Sequence, residues 1–138
     1  MENSKSVAVL GGGSFGTVLA NLAASNGYNV SLWVRDSEQA LRINSEGANT
    51  TYHPELKLSK NIIASDNLKE VLNNKSIIFI ATPSIVFEQI VIRVSDYIDE
   101  KPYLVSCTKG ILDDPFRPLS DIISSKLNNT IGVLSGPN

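Results

Sequence analysis

The stretch Val7–Asn26, VAVLGGGSFGTVLANLAASN, decides the fold. Four apolar residues, Val7-Ala8-Val9-Leu10, run into three consecutive glycines. After Ser14, Phe15 and Gly16, a helix-like pattern places Val18, Leu19, Leu22 and Ala23 on one side. Spaced as Gly11-x-Gly13-x-x-Gly16, with an apolar strand before and a helix behind, the glycines have the form of a dinucleotide-binding turn. Gly11 permits the tight turn out of the strand, Gly13 lets a pyrophosphate approach the backbone, and Gly16 lets the helix pack close to the sheet. A helix starting near Ser14 turns unpaired backbone N–H groups and the positive end of its dipole toward that phosphate.

Working outward, apolar runs alternate with helical patterns along the whole chain, which predicts an α/β fold with a parallel sheet covered by helices. Val30–Val34 reads as the second strand and completes a βαβ unit with the glycine turn. A helix follows Asp36, whose Asp36-Ser37-Glu38-Gln39 has the form of a capping box, and Gly47 stops it. Residues 48–60 lose the pattern and read as a loop. Asn61–Ser65 is a short strand, and Asp66 caps a brief helix through Leu68, Val71 and Leu72. Ser76–Ala81 is a continuous apolar strand expected at the sheet centre. Thr82-Pro83-Ser84 opens a helix with Val86, Ile90 and Val94 on one face. Tyr103–Ser106 is a strand, Pro118–Leu127 a helix and Ile131–Leu134 the last strand.

The length of 138 residues suits one domain, residues 1–138, and 42% hydrophobic against 19% charged residues calls for a packed core. A net charge of −2 without a basic block argues against a nucleic-acid surface. No apolar run has the length of a membrane span, and the N-terminus lacks a secretory leader. The single cysteine, Cys107, excludes an internal disulfide and fits a reducing compartment, so a cytoplasmic protein is expected, with no metal. The chain ends at Ser135-Gly136-Pro137-Asn138, directly after a strand and where doubly wound sheets bind ligands. A fragment boundary is expected there.

Several side chains are placed for chemistry. Arg35 and Asp36 follow the second strand, where the adenosine ribose is recognised. Asp36 lies 20 positions after Gly16 and either bonds a ribose hydroxyl or caps the second helix. Arg35 either receives a 2′-phosphate through its guanidinium fork or is a solvated surface residue. Together they give a modest lean to NADP(H) over NAD(H). Lys109 follows the strand Tyr103–Ser106 at its carboxyl end, where an ammonium would bind a substrate phosphate or polarise a ketone; an ordinary exposed lysine is the alternative. Cys107 reads as a small buried residue and His53 as a locally bonded surface histidine. Tyr52 serves packing or reaches the cofactor.

The motifs Gly11-Gly12-Gly13-Ser14-Phe15-Gly16-Thr17, Leu32-Trp33-Val34-Arg35, Asn49-x-x-Tyr52, Ala81-Thr82-Pro83-Ser84, Thr108-Lys109-Gly110 and Ser135-Gly136-Pro137-Asn138 occur in one order. In that order the chain resembles the bacterial-type NAD(P)-dependent glycerol-3-phosphate dehydrogenases, over essentially its whole length. The resemblance implies a Rossmann-type, doubly wound, mainly parallel sheet with helices on both faces, followed in the family by a helical substrate domain that this chain does not contain. It implies reversible reduction of dihydroxyacetone phosphate to sn-glycerol 3-phosphate, a precursor of glycerophospholipids. Ser14, Phe15, Arg35 and Tyr52 fall on cofactor positions beside Gly11, Gly13 and Gly16. Lys109 falls on a position touching both cofactor and substrate, and Gly136 and Asn138 on substrate positions. The family's second catalytic lysine belongs to the helical domain, so the chain alone is expected to be inactive. Asp36 stands where many relatives carry a basic residue, which weakens the NADP(H) lean. A homodimer of the full-length form is left open. Two other readings remain: a dehydrogenase of a hydroxy acid, and a dinucleotide-sensing Rossmann module without catalysis.

Overall fold

The computed structural model describes residues 5–108, 111–113 and 116–134. Six strands, β1 (Ser6–Leu10), β2 (Asn29–Trp33), β3 (Ile62–Ser65), β4 (Ile77–Ile80), β5 (Tyr103–Ser106) and β8 (Ile131–Val133), form one sheet in the order β3-β2-β1-β4-β5-β8. Every pairing in it is parallel. The order reverses between β1 and β4, which leaves a crevice at their carboxyl ends. The helices are α1 (Ser14–Ser25), α2 (Ser37–Glu46), α3 (Leu68–Leu72), α4 (Ser84–Ser95) and α5 (Leu119–Lys126).

Alternation along β1 assigns the two faces. Ala8 and Leu10 join Ile78, Ile80 and Leu104 in a core covered by α3, α4 and α5. Val7 and Val9 join Val30 and Leu32 in a second core, closed by Ala20 and Ala24 of α1 and by Ala40 and Ile43 of α2. Burial on both faces is why β1 reads as a continuous apolar run. The second face is covered only over β3, β2 and β1. Toward β5 its side chains emerge, with Val105 half-buried and Tyr103 exposed, because no described helix lies over them.

Four local expectations change. Of the expected face of α1, Leu19 is buried and Ala23 packs half-buried on the core, but Val18 and Leu22 are 43% and 60% exposed; Gly16, Thr17, Ala20 and Ala24, all small, are buried beside Leu19 and let the helix sit close. Asn67, not Asp66, caps α3, accepting from Glu70 N–H at 3.2 Å. Asp66 instead offers its carbonyl to the Trp33 indole N–H at 3.0 Å. A small antiparallel pair, β6 (Ile111–Asp113) with β7 (Phe116–Pro118), occupies a stretch without a predicted element and takes Pro118 out of the last helix. Strand bounds also move by a residue or so, β2 beginning at Asn29 and ending at Trp33.

Asp36 does cap α2, its carboxylate accepting from Glu38 N–H at 3.0 Å, and Gly47 closes the helix at φ 68°. The reciprocal half of the capping box is not made, because the Gln39 side chain is drawn away to Gly12 and Asn49. On the outer edge, Asn44 exchanges two 2.8 Å hydrogen bonds with the backbone of Ala64 and so protects β3.

Candidate functional site

The glycine turn is built by close approaches. Gly11 lies at φ 124°, a backbone that L side chains rarely adopt, and a Cβ there would stand 2.6 Å from the Ala81 carbonyl oxygen. A Cβ on Gly16 would collide with the Gly11 carbonyl, and one on Gly12 with the Val34 side chain. Gly13 differs from these three, since a Cβ on it would meet nothing within 4 Å. Three glycines therefore serve the chain's own packing, and Gly13 keeps clear a space the protein leaves open.

That space belongs to a cleft of about 1450 Å³ at the carboxyl ends of β1, β2 and β4. Sites for drug-sized ligands occupy about 300–1,000 Å³, so the cleft is roomy enough for a dinucleotide. Gly11, Gly13, Ser14, Phe15 and Gly16 line it from one side, Arg35 and Asp36 from the end of β2, Tyr52 from the loop after α2, and Ala81 to Val86 from across the sheet. Phe15 and Tyr52 are about half exposed, at 51% and 48%. The first intrahelical bond of α1 runs from Thr17 N–H to the Gly13 carbonyl. The N–H groups of Ser14, Phe15 and Gly16 thus have no carbonyl behind them and face the turn, as an anion requires.

The loop after α2 reaches back to this turn. Asn49, 2% exposed, donates from Nδ2 to the Gly12 carbonyl and to Thr17 Oγ1, both at 2.8 Å. Thr17 Oγ1 donates to the Gly13 carbonyl at 2.7 Å, and Gln39 Nε2 to the Gly12 carbonyl at 3.0 Å. His53 Nε2 lies 3.0 Å from the Ser14 carbonyl, which can only accept, so this nitrogen carries the proton; Ser14 Oγ is 3.1 Å away. Of these residues Asn49 and Thr17 entered the sequence reading only inside motifs, and Gln39 only as half of a cap. The one signal for Asn49 was its place three residues before Tyr52 in an otherwise patternless loop.

Across the sheet, Thr108 Oγ1 donates to the Thr82 carbonyl at 2.6 Å and ties the end of β5 to the end of β4. Thr82 Oγ1 itself is buried with no hydrogen-bond partner among the described residues. Cys107 and Thr108 both line the cleft. Burial pushes the Cys107 thiol up to about 11 from its ordinary 9.0, which keeps it protonated at neutral pH. Lys109, Gly136 and Asn138 lie outside the described residues. Among the described residues, no group of histidine, cysteine and carboxylate side chains could hold a metal, and no helix is long and apolar enough to cross a membrane.

A family model described as the N-terminus of NAD-dependent glycerol-3-phosphate dehydrogenase matches residues 6–138. A curated glycerol-3-phosphate dehydrogenase, NAD(P)+, of Alcanivorax borkumensis is 43% identical over 138 residues, 99% of this chain and 40% of that protein. The protein of the same name from Teredinibacter turnerae is 41% identical over 100% of this chain and 41% of its own length. The crystal structure of glycerol-3-phosphate dehydrogenase from Coxiella burnetii superimposes with a TM-score of 0.90 at 32% identity, over 97% of this chain and 41% of that one. The chain spans about two fifths of the length of the relatives it matches.

Proposed function

We propose that this chain, which belongs to the NAD-dependent glycerol-3-phosphate dehydrogenase family, supplies the dinucleotide site for the interconversion of dihydroxyacetone phosphate and sn-glycerol 3-phosphate. The observation that carries the reading is the glycine turn, in which Gly13 alone leaves its Cβ direction open to the cleft at the start of α1. A pyrophosphate fits that opening, held by the backbone N–H groups of the first turn and beside the Ser14 hydroxyl. The nicotinamide, when bound, supplies or accepts the hydride.

The chain's own residues bind and orient. Arg35 lies at the cleft without a carboxylate partner among the described residues, which supports a role on a 2′-phosphate and a lean to NADP(H). Asp36 spends one carboxylate oxygen on Glu38 N–H, which supports the capping reading over a ribose contact. Phe15 and Tyr52 offer ring surface along the same cleft. Lys109 directly follows two cleft-lining residues, Cys107 and Thr108, which supports placing its ammonium on the ketone oxygen. There it would stabilise the negative charge that develops as hydride arrives. Gly136 and Asn138 are assigned to substrate binding by their place in the Ser135-Gly136-Pro137-Asn138 motif. The product would feed glycerophospholipid synthesis, and the unpaired Cys107 supports a cytoplasmic setting.

The test is turnover of dihydroxyacetone phosphate with NADPH and NADH by the full-length protein, wild type against Lys109→Ala. Loss of about 10²–10³ in kcat is expected where one group stabilising the developing oxyanion is removed. Dinucleotide binding without turnover would leave a sensing module instead. Preference for a hydroxy acid over the triose phosphate would displace the substrate.

A further inference from the structure

Two consecutive peptides of the glycine turn are held by their carbonyls. The Gly12 carbonyl accepts from Asn49 Nδ2 at 2.8 Å and from Gln39 Nε2 at 3.0 Å. The Gly13 carbonyl accepts from Thr17 Oγ1 at 2.7 Å, and that hydroxyl in turn accepts from Asn49 Nδ2 at 2.8 Å. In a planar trans peptide the C=O of one residue and the N–H of the next point in opposite directions. Drawing the Gly12 carbonyl toward Asn49 therefore turns the Gly13 N–H the other way, toward the cleft. Drawing the Gly13 carbonyl toward Thr17 does the same for the Ser14 N–H. Successive N–H groups aimed to one side make an anion-binding concavity.

We propose that Asn49 is a positioning residue of the cofactor site, setting through the Gly12 carbonyl and the Thr17 hydroxyl the two N–H groups that receive the pyrophosphate. It acts from behind the turn: Asn49 is 2% exposed and, like Thr17, stands outside the cleft lining. The amide is chemically specific for this task. Both Nδ2 hydrogens are spent on acceptors, while Oδ1 accepts from Gln39 Nε2 at 3.3 Å. An aspartate has no donor to offer and would set a carboxylate against the Gly12 carbonyl. The inference rests on the dinucleotide reading of the cleft and adds to it the loop residue that shapes the turn.

The test is NADPH titration, by the fluorescence of the bound reduced nicotinamide, on full-length wild type, Asn49→Asp, Thr17→Val and Thr17→Ser, each first shown folded by its melting curve. Asn49→Asp and Thr17→Val should bind about tenfold or more weakly, since each leaves buried polar groups unpaired and the turn free to rotate. Thr17→Ser, which restores the hydroxyl, should bind like wild type. Should Asn49→Asp not fold, Thr17→Val keeps the side-chain shape and bears the same expectation. Folded Asn49→Asp or Thr17→Val binding within about twofold of wild type would overturn the positioning role while leaving the dinucleotide site intact, since a real loss of a hydrogen bond exceeds that. Wild type that fails to bind NADPH or NADH would overturn the dinucleotide reading itself, and the inference with it.

Discussion

The carbonyl oxygen of Gly11 fills the space in which a side chain on Gly16 would have to stand. The turn out of β1 and the first turn of α1 are thus in backbone contact, and the glycine spacing measures that contact. Gly13, between them, touches nothing on its Cβ side.

That contrast separates folding from binding. Gly16→Ala forces the backbone apart and should cost about 1–3 kcal/mol of stability in denaturant unfolding, as overpacking does. Gly13→Ala keeps an allowed φ of −79° at the α1 N-cap and should cost no more than about 1 kcal/mol. Its methyl group would still enter the cleft, so dinucleotide titration should show lost affinity. Wild-type binding by Gly13→Ala would place the pyrophosphate elsewhere.

Arg35 and Asp36 can be tested independently because Asp36 already has a structural task. Asn is as good an N-cap as Asp, so Asp36→Asn should keep the melting temperature of wild type. Removing its negative charge next to Arg35 should raise affinity for NADPH and leave NADH nearly unchanged. Arg35→Ala should weaken NADPH by about 1.5–3 kcal/mol, the value of a hydrogen bond to a charged group, and NADH far less. Equal losses for the two cofactors in parallel titrations would remove Arg35 from the 2′-phosphate.

Thr82, at the end of β4, carries a buried hydroxyl without a partner among the described residues. Replacing an unpaired buried polar group by an apolar one of the same shape removes its desolvation cost, about 1 kcal/mol or more. Thr82→Val should therefore be as stable as wild type or more so, read from denaturant midpoints. A clear loss of stability would mean that the hydroxyl is paired in solution.

Cys107 makes stability depend on alkaline pH. Its folded pKa, about 11, lies above its ordinary 9.0 because burial disfavours the thiolate. The folded state therefore keeps a proton that the unfolded chain gives up between those values. The contribution is fully present below about pH 9 and lost as pH rises through about 11. Cys107→Ala should flatten the fall in unfolding free energy across that window, compared with wild type by urea melts at each pH. For the same reason, alkylation of the native protein at pH 7–8 should be slow.

Much of the fold was legible because it is written locally. β1, α1 and β2 follow from an apolar run, a glycine turn and a second apolar run, and the apolar stretch of β1 reports burial on both faces. Asp36 and Gly47 bracket α2 as capping chemistry requires. The cap of α3 was expected on Asp66, one residue too early: α3 starts at Leu68, so the residue directly before it, Asn67, takes the capping position and accepts from Glu70 N–H. Val18 and Leu22 fit the helical period as well as Ala20 and Ala24 do. Only the close approach of α1 to the sheet explains why the small residues face inward.

The sequence by itself determined the parallel α/β architecture, the position of the glycine turn and the family, because periodicity, glycine spacing and ordered motifs are properties of neighbours along the chain. The tertiary structure alone decided which side chains orient that turn. Asn49 meets Gly12 across 37 residues and Thr17 across 32, and His53 meets Ser14 across 39. Contacts at such separations leave no period in the chain. They exist only because the long loop between α2 and β3 folds back to the carboxyl end of the sheet, where the turn before α1 lies.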